Sequence, residues 1–120
     1  MDEFPAQVRV TQSRVSDHTR DIRFAAGDAL VVGHRNRVYP EFVWCTDERG
    51  NGGWAPEAYL ESTGPGTTVA LRDYDASHLT VSEGETLVAL EQVGAWVLCR
   101  NDAGAQGWVR SDAVEPLAQA

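Results

Sequence analysis

An internal repeat constrains this chain more than any other feature, because two segments carry the same ordered series of landmarks. IRFAAGDALVV (22–32) and FVWCTDERGNGGWAPEAYLE (42–61) align with LTVSEGETLVA (79–89) and WVLCRNDAGAQGWVRSDAVE (96–115). The matched pairs are Gly27 with Gly84, Cys45 with Cys99, Gly50 with Gly104, and Gly53-Trp54 with Gly107-Trp108. A chain of 120 residues can form one ordinary domain or two very small ones. The repeat predicts two.

Each copy is predicted to consist of short strands separated by turns. Apolar residues alternate before Gly27 and Gly84, and the glycine is followed in each copy by an acidic residue and an apolar run. The two glycines suit a turn that needs a positive φ. The segments 47–50 and 101–104 suit tight hairpins. Since no segment combines helical periodicity with capping residues, the sequence predicts an all-β fold.

The predicted domains are residues 1–62 and 67–120, joined by a short linker at 63–66. The boundary follows from the Gly-, Pro- and Thr-rich stretch ESTGPGTT at 61–68. Domains this small depend on a few large apolar anchors. The expected anchors are Leu30, Val32, Val43, Cys45 and Trp54 in the first, and Leu71, Leu87, Ala89, Val97, Cys99 and Val109 in the second.

Charge and composition restrict the classes of partner. The formal net charge of −8 and the pI of about 4.7 disfavour nucleic acid and anionic membranes, and favour basic peptides or proteins. The N-terminal MDEFPAQ has no apolar stretch behind it, and no apolar run approaches the roughly 20 residues that span a bilayer. Cys45 and Cys99 lie in apolar strands and fit buried free thiols. We therefore expect a cytoplasmic protein.

The repeat resembles the SH3 domain, twice, over nearly the whole chain. The resemblance rests on the opening segment Ala70-Leu-Arg-Asp-Tyr74, the Gly-Asp or Gly-Glu turn, the strand with Trp96 or Phe42, the hairpin glycines, and the Pro56-x-x-Tyr59 element. It implies two tandem SH3-like small β-barrels, similar to the small tandem SH3 proteins of bacteria that bind ligands. It also implies a groove in which aromatic ridges accept a polyproline segment while loop carboxylates pair with a basic residue.

Neither copy retains the complete groove that the resemblance implies. In the second, Tyr74 and Trp96 are kept, but Arg72 replaces the first tyrosine, Arg110 the proline and Ala113 the late tyrosine. The loop between the opening motif and Leu79 is also shorter than is usual in the family.

The first copy has complementary losses. Counting back from Gly27 places 10–14 (VTQSR) under the opening motif, so both tyrosines are absent, whereas the loop keeps Asp17 and Asp21. Phe42 stands at the tryptophan position, and Pro56 and Tyr59 are retained. These losses suggest a composite site joining Phe42, Pro56 and Tyr59 to Tyr74 and Trp96. The predicted peptide-binding residues are thus Phe42, Pro56, Tyr59, Tyr74, Trp96, Asp17 and Asp21.

The sequence favours a non-enzymatic module that binds a protein or peptide, with proline-rich or basic segments as the candidate ligands. No nucleophile motif, phosphate loop or zinc-protease motif is present, and His18, His34 and His78 lack the spacing of metal ligands. No catalytic residue, cofactor or metal is predicted. Two alternatives remain open, namely binding of cell-wall glycan or peptide, as in bacterial SH3-type domains, and a structural role as a spacer or dimerisation element.

Overall fold

The structure, a computed structural model, describes residues 6–15 and 22–117 and is all-β there, as predicted. Two single-turn 3₁₀ helices, Glu57–Tyr59 and Ser111–Ala113, precede a strand each. No helix in this part of the chain is long and apolar enough to cross a membrane. The strands are β1 (Ala6–Val10), β2 (Arg23–Phe24), β3 (Ala29–Arg35), β4 (Phe42–Thr46), β5 (Gly52–Pro56), β6 (Leu60–Gly64), β7 (Thr67–Ala70), β8 (Tyr74–Asp75), β9 (Thr86–Val93), β10 (Trp96–Arg100), β11 (Gln106–Arg110) and β12 (Val114–Pro116).

The chain divides into two compact units whose limits differ from the predicted domain boundaries. Unit 1 combines residues 1–17 with 77–120, and unit 2 is the continuous segment 18–76. The ranges 1–62 and 67–120 describe copies of the sequence repeat, and each compact unit takes strands from both. As a division into domains, these ranges stay a prediction.

Unit 1 contains one five-stranded antiparallel sheet in the order β11-β10-β9-β1-β12. The N-terminal strand β1 lies between two strands of the second copy. It pairs with β9 from Ala6↔Ala89 to Arg9↔Thr86, and with β12 from Val8↔Pro116 to Val10↔Val114.

Unit 2 has a matching sheet, β5-β4-β3-β7-β6, and a short ladder between β2 and β8. Here β7, which opens the second sequence copy, lies between β3 and β6 of the first. The predicted linker is a hairpin turn in this sheet, because Gly64 pairs with Thr67 and Gly66 adopts a φ of +73°. A chain that reverses in so few residues must place the next strand beside the last one.

Backbone hydrogen bonds show that β1 and β7 occupy equivalent places. In unit 2 the N–H of Gly27 donates to the backbone carbonyl of Ala70 (2.7 Å), and the N–H of Ala70 donates to the backbone carbonyl of Asp28 (2.9 Å). In unit 1 the N–H of Gly84 donates to the backbone carbonyl of Val10 (2.8 Å), and the N–H of Val10 donates to the backbone carbonyl of Glu85 (2.8 Å).

Three more contacts continue this correspondence. The backbone N–H of Leu71 donates to the carbonyl of Tyr59 in unit 2, as that of Thr11 donates to the carbonyl of Ala113 in unit 1. Asp73 Oδ1 accepts the backbone N–H of Ala26, and Ser13 Oγ accepts that of Glu83 at the equivalent place. The Tyr74↔Phe24 pair matches the Arg14↔Val81 bridge. The register that aligns 10–14 with 70–74 is therefore correct, but each opening strand lies in the unit formed mainly by the other copy.

The turns follow the sequence prediction closely. Gly27 and Gly84 have φ of 92° and 90°, and Gly50 and Gly104 both have φ of 88°, a region that side chains rarely adopt. Asp47 Oδ1 accepts the N–H groups of Arg49 and Asn51 at 2.9 Å, which holds the first hairpin turn closed.

The two cores differ in composition. Unit 1 is packed mainly by aliphatic residues around Val10, Leu87 and Cys99, whereas unit 2 buries several aromatic rings. Two expected anchors are exposed, Val32 by 39% and Leu71 by 52%, and these predictions were wrong. Leu71 lies in the bend after β7. Val32 lies in β3 beyond Leu30, the last residue of that strand that pairs with β7.

Candidate functional site

Four of the predicted site residues come together in unit 2. Phe42 and Pro56 are partners across the β4–β5 ladder, and Tyr59 ends the 3₁₀ helix that follows β5. Strand β8 brings Tyr74 to this group, with its ring centroid 5.7 Å from that of Tyr59. The Tyr74 hydroxyl donates to the carbonyl of Trp54 at 2.9 Å, which fixes the ring in place. The strand arrangement thus joins Tyr74 to the aromatic residues of the first copy.

This aromatic group is closed rather than open. Phe42, Tyr59 and Tyr74 are exposed by only 6%, 4% and 8%, and Pro56 is fully buried. Arg72 accounts for part of the closure, since its guanidinium carbon lies 4.2 Å from the centroid of the Tyr59 ring. An arginine stacked in this way occupies the ring face that a ligand proline would use. The binding role of these four residues stays a prediction.

Trp96 is the one remaining predicted residue that the structure describes. Asp17 and Asp21 fall outside the described residues. Trp96 opens β10 and belongs to unit 1. The loop that the sequence shows as unusually short, after Ala76, is where the chain passes from unit 2 to unit 1.

A small cleft of about 70 Å³ lies beside Trp96. Its half-buried indole ring faces the imidazole of His78, with a centroid distance of 4.7 Å and an angle of 34° between the planes. The cleft is lined by Arg14, Val15, His78, Leu79, Trp96, Trp108, Val109 and Arg110. It combines an aromatic wall with two guanidinium groups, and Val15 is exposed by 79% at its border.

The backbone of 77–79 positions His78 over Trp96. The backbone N–H of Trp108 donates to the carbonyl of Ser77 (3.0 Å), and the backbone N–H of Leu79 donates to the carbonyl of Trp108 (3.2 Å). This close approach requires glycine at 107, because a Cβ there would lie 2.7 Å from the Leu79 nitrogen. The shape of the cleft therefore depends on Gly107, which the sequence repeat matches with Gly53.

The two arginines of the cleft are held by neighbours in sequence. Arg14 donates to the Gln12 side chain at 2.6 Å, and Arg110 to Asp112 at 3.0 Å. Arg14 stands at the position that Tyr74 takes in unit 2. Sequence reasoning aligned Arg14 and Arg110 with the groove but did not include His78, which no motif marks.

The thiol groups of Cys45 and Cys99 are not accessible to solvent. Cys45 and Cys99 are fully buried and free, and burial raises the pKa of each to about 11. A buried thiol that stays protonated is a poor nucleophile. Within residues 6–15 and 22–117, no group of three or more His, Cys, Asp or Glu is placed to hold a metal ion.

Comparison with known proteins identifies an SH3 segment. Residues 68–117 match the family model of a variant SH3 domain. A mouse protein, epidermal growth factor receptor kinase substrate 8-like protein 3, is 44% identical over 43 residues, which cover 36% of this chain. The chain spans 7% of the length of that relative. No solved structure matches.

A variant SH3 domain is therefore detected in this chain, and SH3 domains in general are non-catalytic protein-interaction modules. The matched range begins in β7 of unit 2 and ends beyond β12 of unit 1, so the matched sequence lies in both units. The expected likeness to bacterial tandem proteins stays a prediction, because the relative found is from mouse.

Proposed function

We propose that this chain is a non-catalytic peptide-binding module and that the cleft beside Trp96 receives the ligand. The observation that carries the proposal is the pair formed by the half-buried indole of Trp96 and the imidazole of His78, at the wall of a cleft. His78 covers one face of the indole, and the rest of the half-buried Trp96 ring borders the cleft, where a proline ring or another apolar side chain can pack. The matched SH3 segment includes both residues.

Charge favours an acidic flank in the ligand. Arg14 and Arg110 line the cleft; Asp112 offsets the charge of Arg110, whereas Arg14, bonded to the neutral side chain of Gln12, keeps a positive charge that repels the basic residue expected from the sequence. A proline-containing segment with a neighbouring Asp or Glu is the better match. Because both arginines are exposed, we expect the charge to govern selectivity and association rate more than total affinity.

We further propose that the two units are SH3-like barrels with exchanged opening strands, and that the protein acts in the cytoplasm. Support for the barrels comes from the matching hydrogen bonds around Val10 and Ala70. Support for the compartment comes from two buried free thiols, which suit a reducing environment. In this proposal the buried group of Phe42, Pro56, Tyr59 and Tyr74 contributes packing, and ligand contact belongs to Trp96.

Tryptophan indole signals provide the test, because each unit contains two. We would titrate the isotopically labelled chain with two peptides that share a proline-rich centre and differ in having acidic or basic flanks. The indole N–H of Trp96 should shift with the acidic peptide, with affinity on the order of micromolar. The signals of Trp44 and Trp54, in unit 2, should stay in place.

A pair of variants separates binding from general loss of a tryptophan. Trp96→Ala should weaken binding at least about tenfold, whereas Trp44→Ala, a half-buried tryptophan in unit 2, should not. Equal affinity in Trp96→Ala and the parent chain would contradict the proposal. So would the absence of any shift at millimolar concentrations of both peptides.

A further inference from the structure

Among the residues that the structure describes, no strand pairs with the edge of β3 beyond Leu30 in unit 2, whereas the equivalent edge is covered in unit 1. The β1–β9 ladder of unit 1 contains four pairs, Ala6↔Ala89, Gln7↔Val88, Val8↔Leu87 and Arg9↔Thr86. The equivalent β7–β3 ladder of unit 2 contains two, Val69↔Ala29 and Thr68↔Leu30. By the same register, Thr67 and Gly66 would face Val31 and Val32, but within the described residues the ladder ends at Leu30.

The hairpin turn explains why the ladder stops. Thr67 pairs instead with Gly64 of β6, and Gly66 adopts the positive φ that reverses the chain. Within the described part of the chain, the edge of β3 beyond Leu30 therefore has no counterpart of the strand that β1 provides to β9. An unpaired edge presents N–H and C=O groups to which another strand can bond.

Exposure of side chains marks the same place. Val31 is exposed by 64% and Val32 by 39%, whereas their counterparts Val88 and Ala89 are half-buried and 1% exposed. Neighbouring residues of a strand point to opposite faces, so the exposure of both indicates an open flank rather than one solvated face.

A groove of about 390 Å³ runs along this flank. Buried Val43 and half-buried Leu60 line it together with the two exposed valines, and Thr67 and Thr68 border it. The charged lining residue, Glu57, is paired with Arg35 at 2.8 Å, so the groove is matched to an apolar rather than a charged segment.

We propose that this flank binds an extended segment of a partner protein, which adds to β3 as an antiparallel strand. The segment has small or β-branched apolar side chains at alternate positions. Its chemistry is argued from unit 1, where Ala6 and Val8 face inward and exposed Gln7 lies between them. Backbone bonds supply the affinity and the apolar side chains the selectivity in this mode of recognition. The site is separate from the Trp96 cleft and does not depend on it.

The probe is a synthetic peptide with capped ends and the β1 sequence, Ala-Gln-Val-Arg-Val. Amide signals of the full chain are followed during titration, together with hydrogen exchange at 31–33. The proposal predicts shifts and slower exchange at 31–33, with shifts at Thr67. Val31→Lys should weaken binding at least about tenfold. The matched control Val38→Lys alters a valine that is exposed by 74% and does not line the groove, and it should bind as the parent does.

Four results would overturn the proposal. They are no amide shift at millimolar peptide, shifts confined to Trp96 and its neighbours, shifts at 86–89 that indicate displacement of β1 from unit 1, and a dimer without peptide that protects 31–33. The last would assign the flank to a second copy of the chain. Trp96→Ala should leave binding of the β1 peptide unchanged. Failure of the strand-addition proposal is therefore distinguishable from failure of the peptide-binding function proposed for the cleft.

Discussion

Units 1 and 2 keep the same backbone contacts around their opening strands but differ in almost every side chain that could meet a ligand. Val10 and Ala70 make equivalent bonds to the turns at Gly84 and Gly27. Unit 2, however, buries its aromatic group and has Arg72 stacked on Tyr59, whereas unit 1 has few aromatic residues and leaves Trp96 beside a cleft. The comparison indicates that the same backbone hydrogen bonds can hold a common scaffold while the exposed side chains on it differ, as expected if recognition is set separately from the fold.

The largest expected effect comes from placing a charge in the strand that β1 contributes to unit 1. Val10 is 1% exposed, so Val10→Asp buries an unpaired carboxylate and should destabilise unit 1 by about 3–5 kcal/mol. Hydrogen exchange should accelerate at Leu87 and Val97 and stay slow at Leu30 and Cys45. Val38→Asp, at an exposed site, is the control and should cost little. Faster exchange in unit 2 alone would contradict the strand assignment.

The equivalent glycines 53 and 107 should respond differently to the same substitution. A Cβ at Gly107 would lie 2.7 Å from the backbone nitrogen of Leu79, whereas at Gly53 it would lie 2.8 Å from Ile22 Cγ2, a side-chain atom. Since the contacts at Gly107 are all with backbone atoms, whereas those at Gly53 are mainly with the side chain of buried Ile22, Gly107→Ala should cost roughly 2–3 kcal/mol and Gly53→Ala roughly 1–2 kcal/mol. Urea denaturation measures both.

Gly107→Ala should also alter the Trp96 indole signal, because His78 moves with the backbone of Leu79. Equal costs for the two substitutions, with Trp96 unchanged, would show that the backbone at 78–79 is not held as closely as the structure indicates.

Removal of Arg72 should make unit 2 more like an open groove. The contact with Tyr59 is on the order of 0.5–1 kcal/mol at an exposed site, so Arg72→Ala should reduce stability only slightly. It should uncover one face of the Tyr59 ring. We then expect a proline-rich peptide to shift signals of unit 2 that do not respond in the parent chain. Arg110→Ala, in unit 1, serves as the matched loss of an arginine and should leave unit 2 unresponsive.

The smallest effect is one in which the two units should agree. Burial raises the pKa of Cys45 and Cys99 to about 11, above the value of about 8.5 expected in an unfolded chain. The protonated thiols therefore contribute stability that is fully present below about pH 8.5 and is lost as the pH rises towards 11. The double variant Cys45→Ala/Cys99→Ala should lose less stability than the parent between pH 8 and 10.5, as measured by urea denaturation. A parallel decline in both proteins would contradict the burial of the thiols.

Local sequence predicted the turns and strands because they depend on neighbouring residues. Glycines that need a positive φ were identifiable at 27, 50, 84 and 104, and the alternation of apolar residues indicated strands. The exchange of opening strands was missed, because the pattern of a strand does not specify which of two similar sheets it joins. The composition of Gly64-Pro-Gly66 predicts a linker, but a turn this tight also makes a hairpin, as the pairing of Gly64 with Thr67 shows.

The site was predictable only in part, for a related reason. The resemblance supplied the positions of Trp96, Tyr59 and Tyr74, but exposure depends on what lies over each ring. The sequence shows Arg72 only as a replacement of the first tyrosine, whereas its stacking on Tyr59 follows from the fold. His78 carried no sequence signal, since it reaches Trp96 through backbone contacts made by the residues on either side of it.

Disulfide trapping tests the exchange of opening strands most directly. In a Cys45→Ala/Cys99→Ala background, Arg9→Cys would be combined with Thr86→Cys, its partner in the β1–β9 ladder, or with Ala29→Cys, the partner that it would have without exchange. Antiparallel partners lie about 4.5–5.5 Å apart at Cα, within reach of a disulfide. If the opening strands are exchanged, the pair at 9 and 86 should oxidise readily under native conditions and the pair at 9 and 29 should stay reduced. The reverse result would contradict the exchange.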